Sequence, residues 1–402
     1  MDKALKFLAW VRREAWGIGI LSWTFIPASR FALIAMTSPF KFAHASHPDW
    51  TAAAQDCMAQ LGAIPRAATL GFLYVSDAYA DEIAAILGFF QSATGVAHWT
   101  GTVGVGICAT GAEYLEVPAM AVMLGEFDAA DFTMLPTMRA PQDIADDVAG
   151  SAYFALAHGD PANSRMQELI EALSDKVASG FVVGGLSSSR GETAQFCDGV
   201  VSGGLSGVLF SERVKLATRL TQGISPLGPR HRITAANKNI IGSLDHRPAL
   251  DVMKDEIGEV LARDLQRAAG YIFVGLPVRG SDTGDYLVRN ILGVDPQNNL
   301  VAISEYIEPG DELLFCRRDQ QTAEDDLLRM LAAIGAQLNA PIRGGVYYSC
   351  LGRGQHMFGA PNRELGLIRD TLGDFPLVGF FANGEISHNR LYGYTGVLTL
   401  FG

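Results

Sequence analysis

The chain has 402 residues, enough for two or three domains or for one large domain of repeated units. Hydrophobic residues make up 49% and charged residues 18%, so a sizeable core is available, while a formal net charge of −12 argues against nucleic acid or an anionic membrane as partner. Five cysteines, at 57, 108, 197, 316 and 350, are widely spaced and form no CxxC, which excludes a structural zinc site and a disulfide framework and fits reduced thiols in a cytoplasm.

The first 40 residues stand apart. Lys3, Lys6, Arg12 and Arg13 precede an uncharged stretch from Ala15 to Ser29, too short to span a bilayer. The segment has the outline of a signal peptide, with a weak cleavage-like "AHA" at 43–45, but reads better as an N-terminal extension upstream of Met36. It is left out of the fold.

From there one order of elements recurs three times. "ATLGFLYVSD" (68–77) predicts a strand and "AYADEIAAILGFFQSATG" a helix. "VAHWTGTVGVGIC" (96–108) then predicts a strand with a glycine turn, and "PAMAVMLGEF" (118–127) a closing strand. The same succession runs from "SAYFALAHGDP" (151–161) through "GFVVGGLSSSRG" (180–191) to "GLSGVLFS" (204–211). It returns from "VYYSC" (346–350) through "NRELGLIRDTLG" (362–373) and "PLVGFFANGEIS" (376–387) to "TGVLTLF" (395–401). Each unit's sheet has one face covered by its own helix and must bury the other against a partner. The expected fold is therefore α/β: layered sheets with outer helices, built from repeated strand–helix–strand–strand units, in two halves packed back to back. Residues 214–319 have another texture, a β-rich middle segment broken by Gly-Pro, Asp-Pro and Pro-Gly-Asp turns, followed by an amphipathic helix at 322–338. The boundary between the halves falls near residues 245–250.

"FVVGGLSSS" with "GGLSGVLF", then "TQGISPLGPRHRIT", "DVMKDEIG", "YLVRNILGVDPQNNLVAISEYIEPGDELLFCRRD" and "SCLGRGQHMFG…PLVGFFANGEI" resemble the FIST domain in both its N- and C-terminal parts, over nearly everything from Phe42 onward. The resemblance implies an N-terminal FIST domain at 41–247 and a C-terminal one at 248–402. It also implies a sensory module for small ligands such as amino acids, of a kind found alone or joined to histidine kinases, cyclic-nucleotide enzymes and chemotaxis receptors. No output domain follows the last strand, so a stand-alone member signalling to a separate protein is expected. Some members are haem-binding nitric-oxide sensors, which makes haem the alternative to a cofactor-free site.

Candidate site residues gather at the glycine turns. Arg353, between Gly352 and Gly354, offers a planar fork for a carboxylate where backbone can be approached closely; it reads equally as the salt-bridge partner of Glu385 or Glu364. Glu385, after the turn dipeptide Asn383-Gly384, could take an ammonium opposite Arg353 or be a solvated hairpin residue. Gly184, Gly185, Ser187 and Ser188 have the ingredients of an anion nest without the lysine of a phosphate loop. Tyr348 and Cys350 are read as pocket lining. A cysteine hydrolase built on Cys350, with His356 and Arg353 nearby, is the weaker alternative. "GTVGVG" (101–106) precedes a strand, not a helix, and so is a turn and not a dinucleotide site. For haem, His98 and His158 are the candidate axial ligands.

Overall fold

Leu70–Ser76 and Phe154–Gly159 are buried at every position, and Gly344–Cys350 at every position but the last. Such a pattern belongs to a central strand covered on both faces. In the computed structural model, which describes residues 40–145, 152–262, 265, 270–277, 286–338 and 340–402, these are the first strands of three equivalent units. The reading of residues 1–39 as an extension lies outside the described residues, but Phe40, assigned to it, is buried in the core.

In each unit the first strand pairs in parallel with the second: Leu70–Ser76 with His98–Gly104, Phe154–Gly159 with Phe181–Leu186, and Gly344–Cys350 with Leu377–Ala382. The crossover helices are Ile83–Thr94, Met166–Lys176 and Arg363–Leu372. On its other side each first strand pairs antiparallel with the closing strand: Met120–Gly125, Leu205–Phe210 or Gly396–Phe401. An edge strand (Lys41–Ala45, Phe132–Met138 or Leu216–Thr221) flanks each closing strand.

The units are locked by exchange. The hairpin Gly106–Ala109/Ala112–Leu115 of the first unit extends the sheet of the third. The second unit's Gln195–Cys197/Val200–Val201 extends the first sheet, and the third unit's Glu385–His388/Arg390–Tyr392 extends the second. The cycle is closed. Asn383-Gly384 therefore makes no local hairpin: it carries the chain from one sheet to the next, with Gly384 at φ 116°. The two halves packed back to back are replaced by three sheets around one core that includes Phe72, Leu156, Val346, Phe380 and Phe401. Helices cover the outer faces, with Ile86 and Phe90, Leu169 and Leu173, and Leu327, Leu331 and Ile368 packed inward.

The fifth residues of the three first strands are Tyr74, His158 and Tyr348. They meet in the shared core. The Tyr74 hydroxyl lies 2.9 Å from that of Tyr348 and 3.2 Å from His158 Nε2, within hydrogen-bond distance of both. Burial pushes the His158 pKa down to about 3, so the ring is neutral.

The fourth residue of each first strand faces a glycine on the second: Leu73 with Gly101, Ala157 with Gly184, Tyr347 with Gly379. A β-carbon at those glycines would lie 1.7–1.8 Å from the partner's carbonyl oxygen. Here the recurring glycine marks a strand–strand approach too close for any side chain. Gly184→Ala is accordingly expected to cost at least about 3 kcal/mol in chemical denaturation, the upper end for single substitutions.

Between the third unit's edge strand and its helix Gln320–Gln337 the chain inserts an antiparallel sheet of eight strands, Ser225–Arg317, packed on helix Ala249–Ala262. It closes on itself, because Glu312–Arg317 pairs with both His231–Asn237 and Ile272–Pro277. The β-rich middle segment is thus a barrel. Residues 40–402, so far as described, belong to one compact unit.

Candidate functional site

In the third unit both partners of an ion pair near the end of the first strand are fully buried. Along Gly344–Cys350 the side chains alternate, so Tyr347 and Ser349 face outward while Tyr348 faces the core. The outward pair meets Glu364, in the first turn of helix Arg363–Leu372, where the helix dipole favours a carboxylate. Glu364 Oε1 accepts from Tyr347 Oη (2.6 Å) and Arg353 Nε (2.8 Å). Its Oε2 accepts from Ser349 Oγ and the Gly354 amide, both at 3.0 Å. Four donors fill this carboxylate. The side chains of Arg353 and Glu364 are both 0% exposed, yet Nη1 and Nη2 of Arg353 have no hydrogen-bond partner among the described residues.

Glu113, from the hairpin that the first unit lends, caps the same helix by accepting from the amides of Glu364 (3.0 Å) and Leu365 (3.2 Å). Burial, with the like charge of Glu364 added, lifts its pKa to about 7.

Glu385 sits on a strand of the second sheet but turns to the third unit. Its Oε2 accepts from the amide (3.1 Å) and Oγ1 (2.8 Å) of Thr395, and the Cys350 side chain lies beside the carboxyl. Oε1 has no partner among the described residues. Burial raises the pKa to about 8 despite these hydrogen bonds and the nearby Arg353 cation. Burial, with Glu385 beside it, lifts the Cys350 thiol to about 12, the reverse of what a nucleophile needs. Native protein at pH 7.5 should therefore leave Cys350 unmodified by iodoacetamide in peptide mass mapping, with labelling only after denaturation.

Sequence reasoning missed Arg318, which follows the last barrel strand. It is 5% exposed, and its guanidinium lies 4.3 Å over the Tyr394 ring and 5.4 Å over Phe273. Nη2 is 3.5 Å from the Gly352 carbonyl oxygen, and Nε has no partner among the described residues. Burial, with Arg353 adding to it, lowers its pKa to about 10. In sequence it is the second of two consecutive arginines, of which the structure exposes Arg317 and buries Arg318.

Of the residues expected at the site, the structure brings together Arg353, Glu385, Cys350, Gly352 and Gly354. Tyr348 is turned away into the core. Ser187 is consumed by Thr102 Oγ1 (2.7 Å), Gln195 Nε2 (2.8 Å) and the Gly159 carbonyl (3.2 Å). Ser188 donates to the Phe381 carbonyl and accepts from the Val105 amide. Gly184 and Gly185 pair with Ile386 and Glu385 in the second sheet, and Asn383 is exposed on its turn. The three glycine bends do converge, through Ser188 N to Val103 O (3.3 Å) and Leu186 N to Gly384 O (2.9 Å), but into a packed joint and not a common hollow. Hydroxyls beside crossing strand ends satisfy backbone groups that the exchange leaves open.

His158 does not fit a haem ligand, because Tyr74, Tyr348 and Phe380 rings pack at 5.6, 5.7 and 6.0 Å and leave no room for a porphyrin. His98 is half-exposed, with Nδ1 2.9 Å from Asp198 Oδ2 and its ring against Phe132. No helix among the described residues is long and apolar enough to cross a membrane.

Fold and cluster together define a layered α/β protein of three hairpin-exchanging units, with a buried ionic cluster at one strand end. Comparison with known families places it further. The FIST N domain matches residues 69–247 and the FIST C domain residues 249–388, and the chain belongs to the FIST family, whose domains are generally described as small-ligand sensory domains in signal transduction. It is 32% identical over 353 residues to the uncharacterized protein Rv0628c of Mycobacterium tuberculosis, covering 83% of this chain and 91% of that protein. It is 29% identical over 354 residues to the uncharacterized protein Mb0898c of Mycobacterium bovis, with the same coverage. The boundary between the two family matches does not coincide with the units: the third unit's edge strand, Leu216–Thr221, lies before it.

Proposed function

We propose that this sensory module binds an amino acid or a similar small zwitterion at the Arg353–Glu385 cluster, without a cofactor, and passes the signal to a separate output protein. The observation that supports the reading is the pair of buried Arg353 Nη atoms with no hydrogen-bond partner among the described residues, in one cluster with Glu385, whose Oε1 is likewise unpartnered there. Buried polar groups are nearly always satisfied, and those left open are candidates for ligand contacts. A guanidinium fork suits a carboxylate and a carboxylate suits an ammonium. Gly223 presses its α-carbon side against Arg353 Nη1, where a β-carbon would sit 3.3 Å away, so the fork is aimed and not loose. Five unpaired cysteines support a cytoplasmic setting.

Calorimetry of the full chain against the twenty L-amino acids tests this. At least one should bind, and Arg353→Met should lose it. Silence across the panel from wild-type protein would end the reading.

A further inference from the structure

We propose that Arg318, carried by the inserted barrel, is a second holder of the ligand's carboxylate, so that binding clamps the barrel onto the end of the third sheet. The inference rests on the reading of the Arg353–Glu385 cluster as the ligand site. Arg318 is a buried cation for which no carboxylate lies at ion-pair distance among the described residues. The one hydrogen bond its guanidinium makes among the described residues, to Gly352 O at 3.5 Å, is at the limit of useful length. Stacking on Tyr394 and Phe273 orients the guanidinium plane but supplies no full counter-charge. A buried charge without a partner is unfavourable, and an arginine kept in that state is placed to receive an anion.

The neighbouring charges narrow the choice of anion. Arg353 and Glu364 cancel. Glu385 is most readily held uncharged in its burial beside the Cys350 thiol. Glu113 and Asp326 also act on this cluster, but neither forms an ion pair with Arg318 among the described residues. The anion that two neighbouring guanidinium groups would share is a carboxylate, with Gly352 between Arg318 and Arg353 and the Tyr394 ring packed against its α-carbon.

The barrel also meets the third unit around this point. Tyr394 Oη donates to Asn290 Oδ1 (2.6 Å), and its ring lies 5.0 Å from Phe273. The Gln222 side chain and the Tyr286 backbone hydrogen bond in both directions, with Gln222 one residue from the glycine that abuts Arg353. A ligand shared by Arg353 on the body and Arg318 on the barrel adds its interaction energy to that joint. Binding then favours the seated barrel, as differential contact with two arrangements requires.

The test uses the full chain with the twenty L-amino acids as probes. The tightest binder should lose at least tenfold in affinity in Arg318→Met and less in Arg318→Lys. In wild-type protein, hydrogen–deuterium exchange with that amino acid present should slow in barrel strands 272–277 and 312–317 as well as in 350–354. Undiminished affinity in Arg318→Met, or protection confined to 350–354 and 381–385, overturns the clamp while leaving the site in place. If no amino acid binds the wild type, the site reading fails and the clamp with it. The exchange measurement decides the matter even if both variants misfold.

Discussion

Glu385→Gln is expected to be more stable than the wild type above pH 8 and nearly equal to it near pH 5. The carboxyl titrates at about 8 in the folded chain against a reference value of 4.5, because burial disfavours its charged form. Between those values the folded state holds a proton that the unfolded state has released. A raised pKa of this kind contributes stability that is full below the unfolded value and is lost as pH rises through the folded one. At about 1.4 kcal/mol per unit, the loss across the window amounts to several kcal/mol. Glutamine cannot ionise and still offers an oxygen to Thr395, so it escapes the loss. Urea denaturation of both proteins from pH 5 to 9 should give curves that diverge steadily and level off above pH 8. Parallel curves would show that Glu385 is not held as a neutral acid. The same group sets the chemistry of binding. An ammonium placed at Oε1 favours the carboxylate and expels its proton, so amino-acid binding below pH 8 should release close to one proton. Calorimetry in phosphate and in Tris, whose ionisation enthalpies differ, measures that number. Release should vanish in Glu385→Gln. Propionate, which lacks the ammonium, should bind without it.

That such a residue could be suspected from sequence, while its surroundings could not, reflects the range of the interactions involved. The three strand–helix–strand–strand units were legible because their signals are local: Leu70–Ser76, Phe154–Gly159 and Gly344–Cys350 are short apolar runs, and the segments that follow carry apolar residues at helical spacing. The exchange of hairpins was not, because the pairing of Gln195 with Thr102 or of Glu385 with Gly185 joins residues about a hundred or more positions apart with no local signal. Asn383-Gly384 looked like an ordinary hairpin turn for that reason. Within the site, Arg353 between two glycines and Glu385 after a turn were visible as unusual polar residues on apolar strand ends. Glu364 stood only as one of two possible partners. Arg318 and Glu113 arrive from the barrel and from the first unit, and nothing near them in sequence points to Arg353. Ser187 and Ser188 misled in the opposite sense, since a nest-like run of hydroxyls beside glycine has the same composition whether it faces a ligand or a crossing strand.

Arg353 and Glu364 yield the other large effect, and it separates the two duties of one side chain. Glu364→Gln should cost about 3–5 kcal/mol, because it leaves the Arg353 cation buried without a counter-charge. Arg353→Met should cost less, about 1–3 kcal/mol, since Glu364 keeps the Tyr347 hydroxyl, the Ser349 hydroxyl and the Gly354 amide as donors. The double variant should lose less than the two single losses added together, with a coupling of about 1–3 kcal/mol in a denaturation cycle. A coupling near zero would mean that the ion pair does not hold the strand end to the helix. Binding should divide along another line. Only Nε of Arg353 serves Glu364, and the Nη fork is the part with no hydrogen-bond partner among the described residues. Arg353→Met, folded and only moderately destabilised, should therefore lose amino-acid binding altogether. Glu364→Gln, assayed below its lowered midpoint, should retain binding with affinity reduced severalfold, because the fork survives but loses the anchor that aims it. Equal losses of binding in the two variants would assign the whole guanidinium to the fold and none of it to the ligand.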